Sequence, residues 1–285
     1  MIRKTLRIIL LAMMTAACTE KINVKLDTTY TRVVVDGNIQ SDTGAYSIAL
    51  TSSADYFSNQ PVPRIFGAHV TINDGEKTFT LHESRAEGSG IYLTDSNFAG
   101  KIGKTYSLHV DLHDAIAGKT SVDATCALLS VTRLDSIAAV FDSTSGTEGR
   151  WFIKLWAQEP GDETNYYLFN LYRNGELMTD TITKKVISDD KFYNGSYMNG
   201  VTIMRINNAH KWETFSPGDT ITLQMSGITK EYYNFVAEVD RSGFNLPFFT
   251  GPPANVVGNI SNGGIGFFAA YSSSFAKTVV KKPNK

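Results

Sequence analysis

The sequence has little cysteine, almost no net charge and no apolar run long enough to cross a bilayer. Its 285 residues contain two cysteines, Cys18 and Cys126, so the fold has no disulfide framework. The 27 basic residues nearly balance the 28 acidic ones, and no long block of like charge occurs. This balance excludes the basic surface that binds nucleic acids or acidic membranes. Stability must come from burial, and the 13 Tyr and 16 Phe residues suit half-buried, pleated surfaces.

The first residues have the composition of an export signal that ends in a lipid attachment site. Three basic residues precede the apolar run Ile8–Met14, which is too short to span a hydrocarbon core of about 30 Å. The small residues Thr15–Ala17 and then Cys18 follow, as in the lipobox of bacterial lipoproteins. We therefore predict that residues 1–17 are a lipoprotein signal peptide and that Cys18 is the lipidated mature terminus. The alternative is a plain secretory signal whose cleavage site lies beside a cysteine.

The part of the chain from residue 18 to residue 127 divides into a tether and a β-rich domain. Residues 18–29 mix charged and apolar side chains, as expected of a tether between the membrane and a domain. Residues 30–127 show apolar side chains at every second position, as in Tyr106, Leu108, Val110 and Leu112. Asp74–Gly75 lies between two alternating runs and predicts a type I′ hairpin turn. These signals predict an N-terminal β-sandwich of immunoglobulin-like or transthyretin-like size.

The alternation lapses near residues 128–136, which predicts a boundary and a second β-rich domain over 128–285. Asn174–Gly175 is its strongest hairpin signal. Strands are predicted at 151–157, 166–173, 201–206, 220–225, 266–271 and 277–281. A helix is predicted at 229–240, capped by Thr229 and ended by Gly243, with an aromatic stripe that packs on the second sheet. The predicted fold class is all-β, with two β-sandwich-like regions in series, the second bearing one packed α-helix.

Several short motifs carry a family resemblance when they are taken in order. They are Arg32–Gly37, Asn165–Tyr167 after Glu159–Glu163, the helix around Tyr232 and Tyr233, and Pro253–Ile260 leading to Gly266–Ala270. Together they resemble the outer-membrane lipoproteins of domain-of-unknown-function family 4249, found in the Bacteroidota. The resemblance implies a lipid-anchored outer-membrane protein, often encoded beside a TonB-dependent outer-membrane barrel that serves as a transporter. It implies no established reaction and brings no catalytic residues, and it leaves open which face of the membrane the protein occupies.

One candidate metal site and one phosphate loop are suggested by single motifs. His109, Asp111 and His113 share one face of a predicted strand, but the two histidines stand about 13 Å apart along it. They cannot share one ion with bonds of about 2.0–2.1 Å, although His109 and Asp111 with an outside ligand remain open. Gly100–Thr105 imitates a phosphate loop, but Phe98 occupies the position of its first glycine and a strand follows it.

Acidic residues raise the prospect of glycoside hydrolysis by a carboxylate pair. The candidates are Glu159, Asp162, Glu163, Asp189 and Asp190. Neighbouring acids on a strand point to opposite faces, so we interpret them as a solvated polar loop. Cys126 lies among apolar residues and no nucleophile elbow occurs. The sequence thus predicts no catalytic residue, no metal and no cofactor.

Two classes of function stay open. One is an accessory binding component that works with a TonB-dependent transporter, and the other is a structural or adhesive envelope lipoprotein without a small-molecule ligand. A glycan-processing enzyme is less favoured. A binding role needs a concave site with convergent aromatic and polar groups. The sequence does not identify the ligand, and the candidate binding residues are Tyr193, Tyr197, Phe248, Phe249, Asn255 and Asn259.

Overall fold

The computed structural model describes residues 31–53, 61–85, 88–161, 163–207, 214–243 and 256–282. Within these residues the chain forms fifteen strands and one α-helix. The strands are β1 (Val33–Gln40), β2 (Ser47–Ser52), β3 (His69–Asn73), β4 (Thr78–Glu83), β5 (Ile91–Leu93), β6 (Thr105–Ile116), β7 (Lys119–Ala127), β8 (Leu134–Asp142), β9 (Arg150–Gln158), β10 (Tyr166–Arg173), β11 (Glu176–Leu177), β12 (Val186–Asp189), β13 (Tyr197–Asn207), β14 (Thr220–Ile228) and β15 (Ile265–Val279). The helix is α1 (Lys230–Gly243), and a 3-10 turn covers Ile182–Lys184.

The N-terminal region is one sheet that curls around its own core. Its strand order is β15-β1-β2-β5-β4-β3-β6-β7, and β15 pairs in parallel with β1. The last strand returns to the first, since Leu129 just after β7 bridges Tyr271 of β15. Side chains at alternate positions fill the interior, as the sequence predicts for Tyr106, Leu108, Val110 and Leu112, which are all buried.

The C-terminal region is a sandwich of two sheets. One layer contains β11, β10, β14 and the second part of β15, with β12 paired to β10, and the other layer is β13-β9-β8. The alternation predicted at residues 151–157 is confirmed, because Trp151, Ile153, Leu155 and Ala157 are all buried in the core between the layers. The all-β class with one packed helix is therefore confirmed.

Strand β15 links the two regions. We predicted two strands at 266–271 and 277–281, but the structure has one continuous strand, and that prediction is wrong. Ser272, Ser273 and Ser274, which interrupt the apolar pattern, remain in the strand because they pair with β14. The first part of β15 pairs with β1 and buries Phe268 in the N-terminal core. A strand from the end of the chain thus completes the sheet at its beginning.

The two predicted hairpin turns have different outcomes. Asn174 and Gly175 connect β10 to β11 with φ of 53° and 89°, as a type I′ turn requires. The type I′ prediction at Asp74–Gly75 is wrong, because a four-residue loop joins the paired residues Asn73 and Thr78. Asp74 shapes that loop, since its Oδ1 accepts hydrogen bonds from the N–H groups of Glu76 and Lys77.

Helix α1 covers the junction of the two regions. Its predicted cap is confirmed, because Thr229 Oγ1 accepts a hydrogen bond of 3.3 Å from the N–H of Tyr232. The helix lies against β10 and β12, as expected, and also against β15. Its aromatic stripe contacts Phe267, whose ring centroid lies 4.9 Å from that of Tyr232 and 5.2 Å from that of Phe235. The stripe therefore joins the N-terminal core. Among the described residues no helix has the length and apolarity that a membrane span needs.

Candidate functional site

The structure describes three of the residues predicted to bind a ligand or lipid. Cys18, Phe248, Phe249 and Asn255 lie outside the described residues, so their roles stay predictions. Asn259, Tyr193 and Tyr197 lie in the described part, and no hydrogen bond or ring contact there joins Asn259 to either tyrosine.

Asn259 fastens the sheet of the N-terminal region. Its Oδ1 accepts a hydrogen bond of 2.9 Å from the N–H of Phe268, and its Nδ2 donates to the carbonyls of Phe268 and Thr125 at 2.8 and 3.0 Å. Thr125 belongs to β7 and Phe268 to β15, so one amide joins the two ends of the curled sheet. Both amide protons are used, which leaves the side chain no donor for a ligand.

Tyr193 lies on the connection between β12 and β13, and Tyr197 is the first residue of β13. The Tyr197 hydroxyl donates to Asp135 Oδ2 at 3.1 Å, which fixes the ring against β8. Phe192, which directly precedes Tyr193, leaves 83% of its surface exposed, and Tyr197 leaves 49%. We call Phe192, Tyr193 and Tyr197 the aromatic patch. Phe192 was not among the residues predicted from the sequence, although a phenylalanine within a run of polar residues is a visible signal.

Two buried carboxylates and an amide lie near this connection. The pairing of β10 with β12 places Tyr166 opposite Asp189, which brings Asn165 and Asp190 together. The N–H of Asn165 donates to Asp190 Oδ2 at 2.9 Å, and the N–H of Asp190 donates to the carbonyl of Asn165 at 3.1 Å. The Tyr167 hydroxyl donates to Glu159 Oε1 at 2.6 Å. We call Glu159, Asn165, Tyr167 and Asp190 the acid cluster.

The two acids of this cluster are buried, so the interpretation of a solvated loop is wrong for them. Glu159 is 1% exposed and Asp190 is 3% exposed. The cause is the packing of the segment after β9 against the segment before β13. The N–H of Glu159 donates to the carbonyl of Ser196 at 3.0 Å, and the N–H of Gly195 donates to that of Pro160 at 3.1 Å. Sequence reasoning could not bring Glu159 within electrostatic range of Asp190, because their proximity depends on tertiary packing.

The environment of Glu159 is unfavourable to its charged form. Burial raises the pKa of Glu159, and the negative charge of Asp190 raises it further, while the Tyr167 hydrogen bond opposes the shift. Three buried oxygens lack a hydrogen-bond partner, namely Glu159 Oε2, Asn165 Oδ1 and Asp190 Oδ1. An unsatisfied buried polar group costs about 1–3 kcal/mol. The three unpartnered oxygens therefore destabilise the folded state.

The pair left open by the sequence, His109 and Asp111, lies on the outer face of β6. His109 Nε2 is 3.1 Å from Asp111 Oδ1, and its Nδ1 is 2.6 Å from Asp123 Oδ1. Both ring nitrogens therefore contact carboxylates. In the part of the chain that the structure describes, no three or more His, Cys, Asp or Glu side chains are grouped so that they could hold a metal ion.

Two further features bear on chemistry. A cavity of about 350 Å³ opens in the C-terminal region, with an apolar floor that includes Leu171, Ile203 and Met204. This volume lies in the range of small-molecule pockets.

The thiol of Cys126 is buried, and burial raises its pKa to about 11. It is therefore a protonated core side chain at neutral pH and a poor nucleophile.

Comparison with known proteins identifies the family. No curated protein matches the chain. A family profile described as "Domain of unknown function (DUF4249)" matches residues 19–275, which cover nearly all of the 285 residues. The two carboxylates of the acid cluster, Tyr193 and Tyr197 all lie within the matched range. This chain therefore belongs to the DUF4249 family.

Proposed function

We propose that this protein is an accessory binding lipoprotein of the outer membrane that acts with a TonB-dependent transporter. The proposal rests on the lipobox-like sequence before Cys18, on the family membership and on the aromatic patch. The patch is the observation that carries it. Tyrosine and phenylalanine are enriched at protein interfaces, and exposed aromatic side chains on a hydrogen-bonded segment are favourable for docking.

The aromatic patch is held in place by its own segment. The N–H groups of Tyr193 and Asn194 both donate to the carbonyl of Asp190, at 2.7 and 2.8 Å, and the N–H of Ser196 donates to the carbonyl of Tyr193. Asp190 is itself buried, so the segment is anchored in the C-terminal region. A preorganised aromatic surface loses less entropy when a partner binds than a mobile one does.

The distance from the lipid to the folded body fits a partner in the same membrane. Twelve residues lie between Cys18 and Thr31, the first residue that the structure describes. Even a fully extended segment of that length spans only about 45 Å. A body tethered to Cys18 would stay close to the membrane surface, where its local concentration near a membrane partner is high.

The partner is tested by purifying the tagged lipoprotein from its own membrane and identifying what accompanies it by mass spectrometry. We expect the wild type to retain a TonB-dependent transporter and the double variant Phe192→Ser/Tyr197→Ser to lose at least about 90% of it, as hot-spot losses allow. Phe66→Ser is the matched control, since Phe66 is 62% exposed in the N-terminal region. If the lipoprotein is recovered without a protein partner, or only with surface polymers, across several detergents, the structural or adhesive alternative would be favoured.

The anchor is tested separately. Cys18→Ala should leave unprocessed precursor without acyl label, whereas Cys126→Ala should keep both processing and label. A plain secretory signal would instead be indicated if the Cys18→Ala variant is still processed and neither it nor Cys126→Ala carries an acyl label.

A further inference from the structure

The acid cluster points to a function that is independent of any transporter. Its unpartnered atoms are all hydrogen-bond acceptors, namely Glu159 Oε2, Asn165 Oδ1 and Asp190 Oδ1. Glu159 and Asp190 are 1% and 3% exposed, so bulk water does not solvate these oxygens. Native proteins rarely leave buried acceptors without a partner, and each such group calls for an explanation.

The charges of the cluster are also unbalanced. Within the described residues no Lys, Arg or His side chain forms an ion pair with Glu159 or Asp190. The carboxylates that act on Tyr167 all carry the same sign, since Glu159, Asp190 and Glu163 each raise its pKa. Buried carboxylates are normally paired with a cation or bound to a metal. The acid cluster therefore lacks a cation that binds oxygen ligands.

We propose that Glu159, Asp190 and Asn165 bind a calcium ion through these three oxygens. Two carboxylates and an amide carbonyl are the ligand types that calcium takes, and backbone carbonyls and water complete its six to eight ligands. The cluster offers no imidazole or thiolate, which disfavours zinc and copper. Irregular segments around β9, β10 and β12 supply the ligands, and such loops suit the flexible coordination of calcium better than the strict octahedron of magnesium.

A small cavity reaches one of the three proposed ligands. Its volume is about 90 Å³, and Asn165, Tyr167 and Glu163 are among its lining residues, whereas Glu159 and Asp190 are not. A water molecule needs only about 10–15 Å³ of such volume. Tyr167 has a structural role in this arrangement. Its hydroxyl donates to Glu159 Oε1, which holds that carboxylate and leaves Oε2 as its unpartnered oxygen.

The ion would join segments that are far apart in the chain. Glu159 follows β9 in one layer of the sandwich, whereas Asn165 and Asp190 flank β10 and β12 in the other. Tyr193 and its neighbours are bonded to the carbonyl of Asp190, so the aromatic patch rests on the same site. Calcium would therefore stabilise the C-terminal region and the frame of the patch together.

The test is thermal unfolding of the full mature chain after removal of metal, with CaCl₂, MgCl₂ or KCl added back. A ligand at one hundred times its Kd raises the Tm of a chain of this size by about 5 °C or more. We expect that shift with calcium alone, one calcium per chain by calorimetric titration, and no shift in Glu159→Gln. Asp111→Asn, which makes the same change on the exposed face of β6, should keep the full shift.

Two further variants guard against a folding defect. Glu159→Gln retains an oxygen for the Tyr167 hydrogen bond and removes a buried charge, so without calcium its Tm should equal or exceed that of the wild type. Asn165→Asp keeps the oxygen and adds a charge, and it should bind calcium more tightly. If the Tm of the wild type does not change when calcium is added, the proposal is overturned. Glu159 would then be a buried acid that is protonated instead of bound to a metal. A calcium shift that survives Glu159→Gln but disappears in Asp111→Asn would overturn it as well.

Discussion

The two regions of the molecule treat buried acids in opposite ways. In the N-terminal region the buried acid is Asp74, whose Oδ1 accepts hydrogen bonds of 2.9 and 2.7 Å from two backbone N–H groups. Those bonds lower its pKa, so its charge is stabilised. In the C-terminal region burial raises the pKa of Glu159, and one oxygen of Glu159 and one of Asp190 have no partner. A turn explains the first acid, whereas the second pair requires a ligand or a proton.

The two regions also differ in how many polar side chains they bury. The N-terminal core is almost wholly apolar, while the C-terminal region buries Asn170, Thr179, Gln224 and Ser226. These side chains form a network on the sheet face away from the C-terminal core. Gln224 is its centre and reaches Gln40 of β1 at 3.0 Å. Apolar packing holds the simple curled sheet together, and directional hydrogen bonds fix the junction where β1, β14 and β15 meet.

The largest effect is expected from separating the regions. A fragment of residues 31–127 lacks the first part of β15, which pairs with β1, and it lacks Asn259, which fastens β7. We expect this fragment to be unfolded by circular dichroism and NMR, because the edge of β1 and its core would be open to water. Extension of the fragment to residue 129, with residues 256–272 fused to it through a flexible linker, should restore the fold. A folded fragment 31–127 would show that the predicted boundary near 128 defines an autonomous domain.

The next effect compares the two cores directly. Leu50 and Leu155 are both fully buried, one in each region. Each Leu→Ala substitution should lower the free energy of unfolding by about 2–5 kcal/mol through lost burial and a residual cavity. Since β15 belongs to both regions, urea unfolding should remain a single transition in both variants. Two separated transitions, with only one shifted in each variant, would show that the regions unfold independently.

A smaller loss is expected at the junction network. Gln224 accepts hydrogen bonds from Asn170 Nδ2 and the Tyr172 hydroxyl and donates to Gln40 and Ser273. Gln224→Met should cost about 1–3 kcal/mol, because it leaves buried polar partners unsatisfied. The double variant with Gln40→Met should cost less than the sum of the single losses, as a double-mutant cycle would measure. Strict additivity would mean that the contact with Gln40 contributes no stability.

Local patterns predicted much of this architecture. The alternation at Tyr106–Leu112 and Trp151–Ala157 fixed which side chains are buried, because a strand has a period of two. Asn174–Gly175 formed the type I′ turn, since both residues tolerate positive φ. The capping position and aromatic spacing of the helix were likewise local signals. Asp74–Gly75 differed because the Asp74 carboxylate stabilised a longer loop instead.

Long-range contacts escaped prediction for a physical reason. The continuity of β15 depends on pairing with β1 at one end and β14 at the other, and no local period encodes a partner more than 200 residues away. The acid cluster likewise exists only after β10 and β12 pair. The sequence identified Glu159 and Asp190 as candidates, but their burial follows from tertiary structure alone.

The smallest effect concerns pH and the exposed face of the N-terminal region. The hydrogen bond that the His109 ring donates to the Asp123 carboxylate raises the pKa of His109 above 6.5, and the charge of Asp111 adds to the shift. The folded state therefore favours the protonated imidazole. Its stabilisation is fully present below the unfolded pKa of about 6.5 and is lost as the pH rises through the higher folded value. The pair is substantially exposed, so the gain is only about 0.2–1 kcal/mol.

We expect the free energy of unfolding of the wild type, relative to His109→Gln, to fall between pH 6 and pH 8. Urea titrations at several pH values measure this difference, and an NMR titration of the His109 ring follows its protonation directly. His82→Gln is the control, because His82 approaches Asp95 only at 4.0 Å and both side chains are 74% exposed. If the His109 and His82 variants give the same pH dependence, the contacts with Asp123 and Asp111 do not stabilise the charged ring. Charged contacts on the outer face of the N-terminal region would then contribute little to its stability, as in the apolar core of the same region.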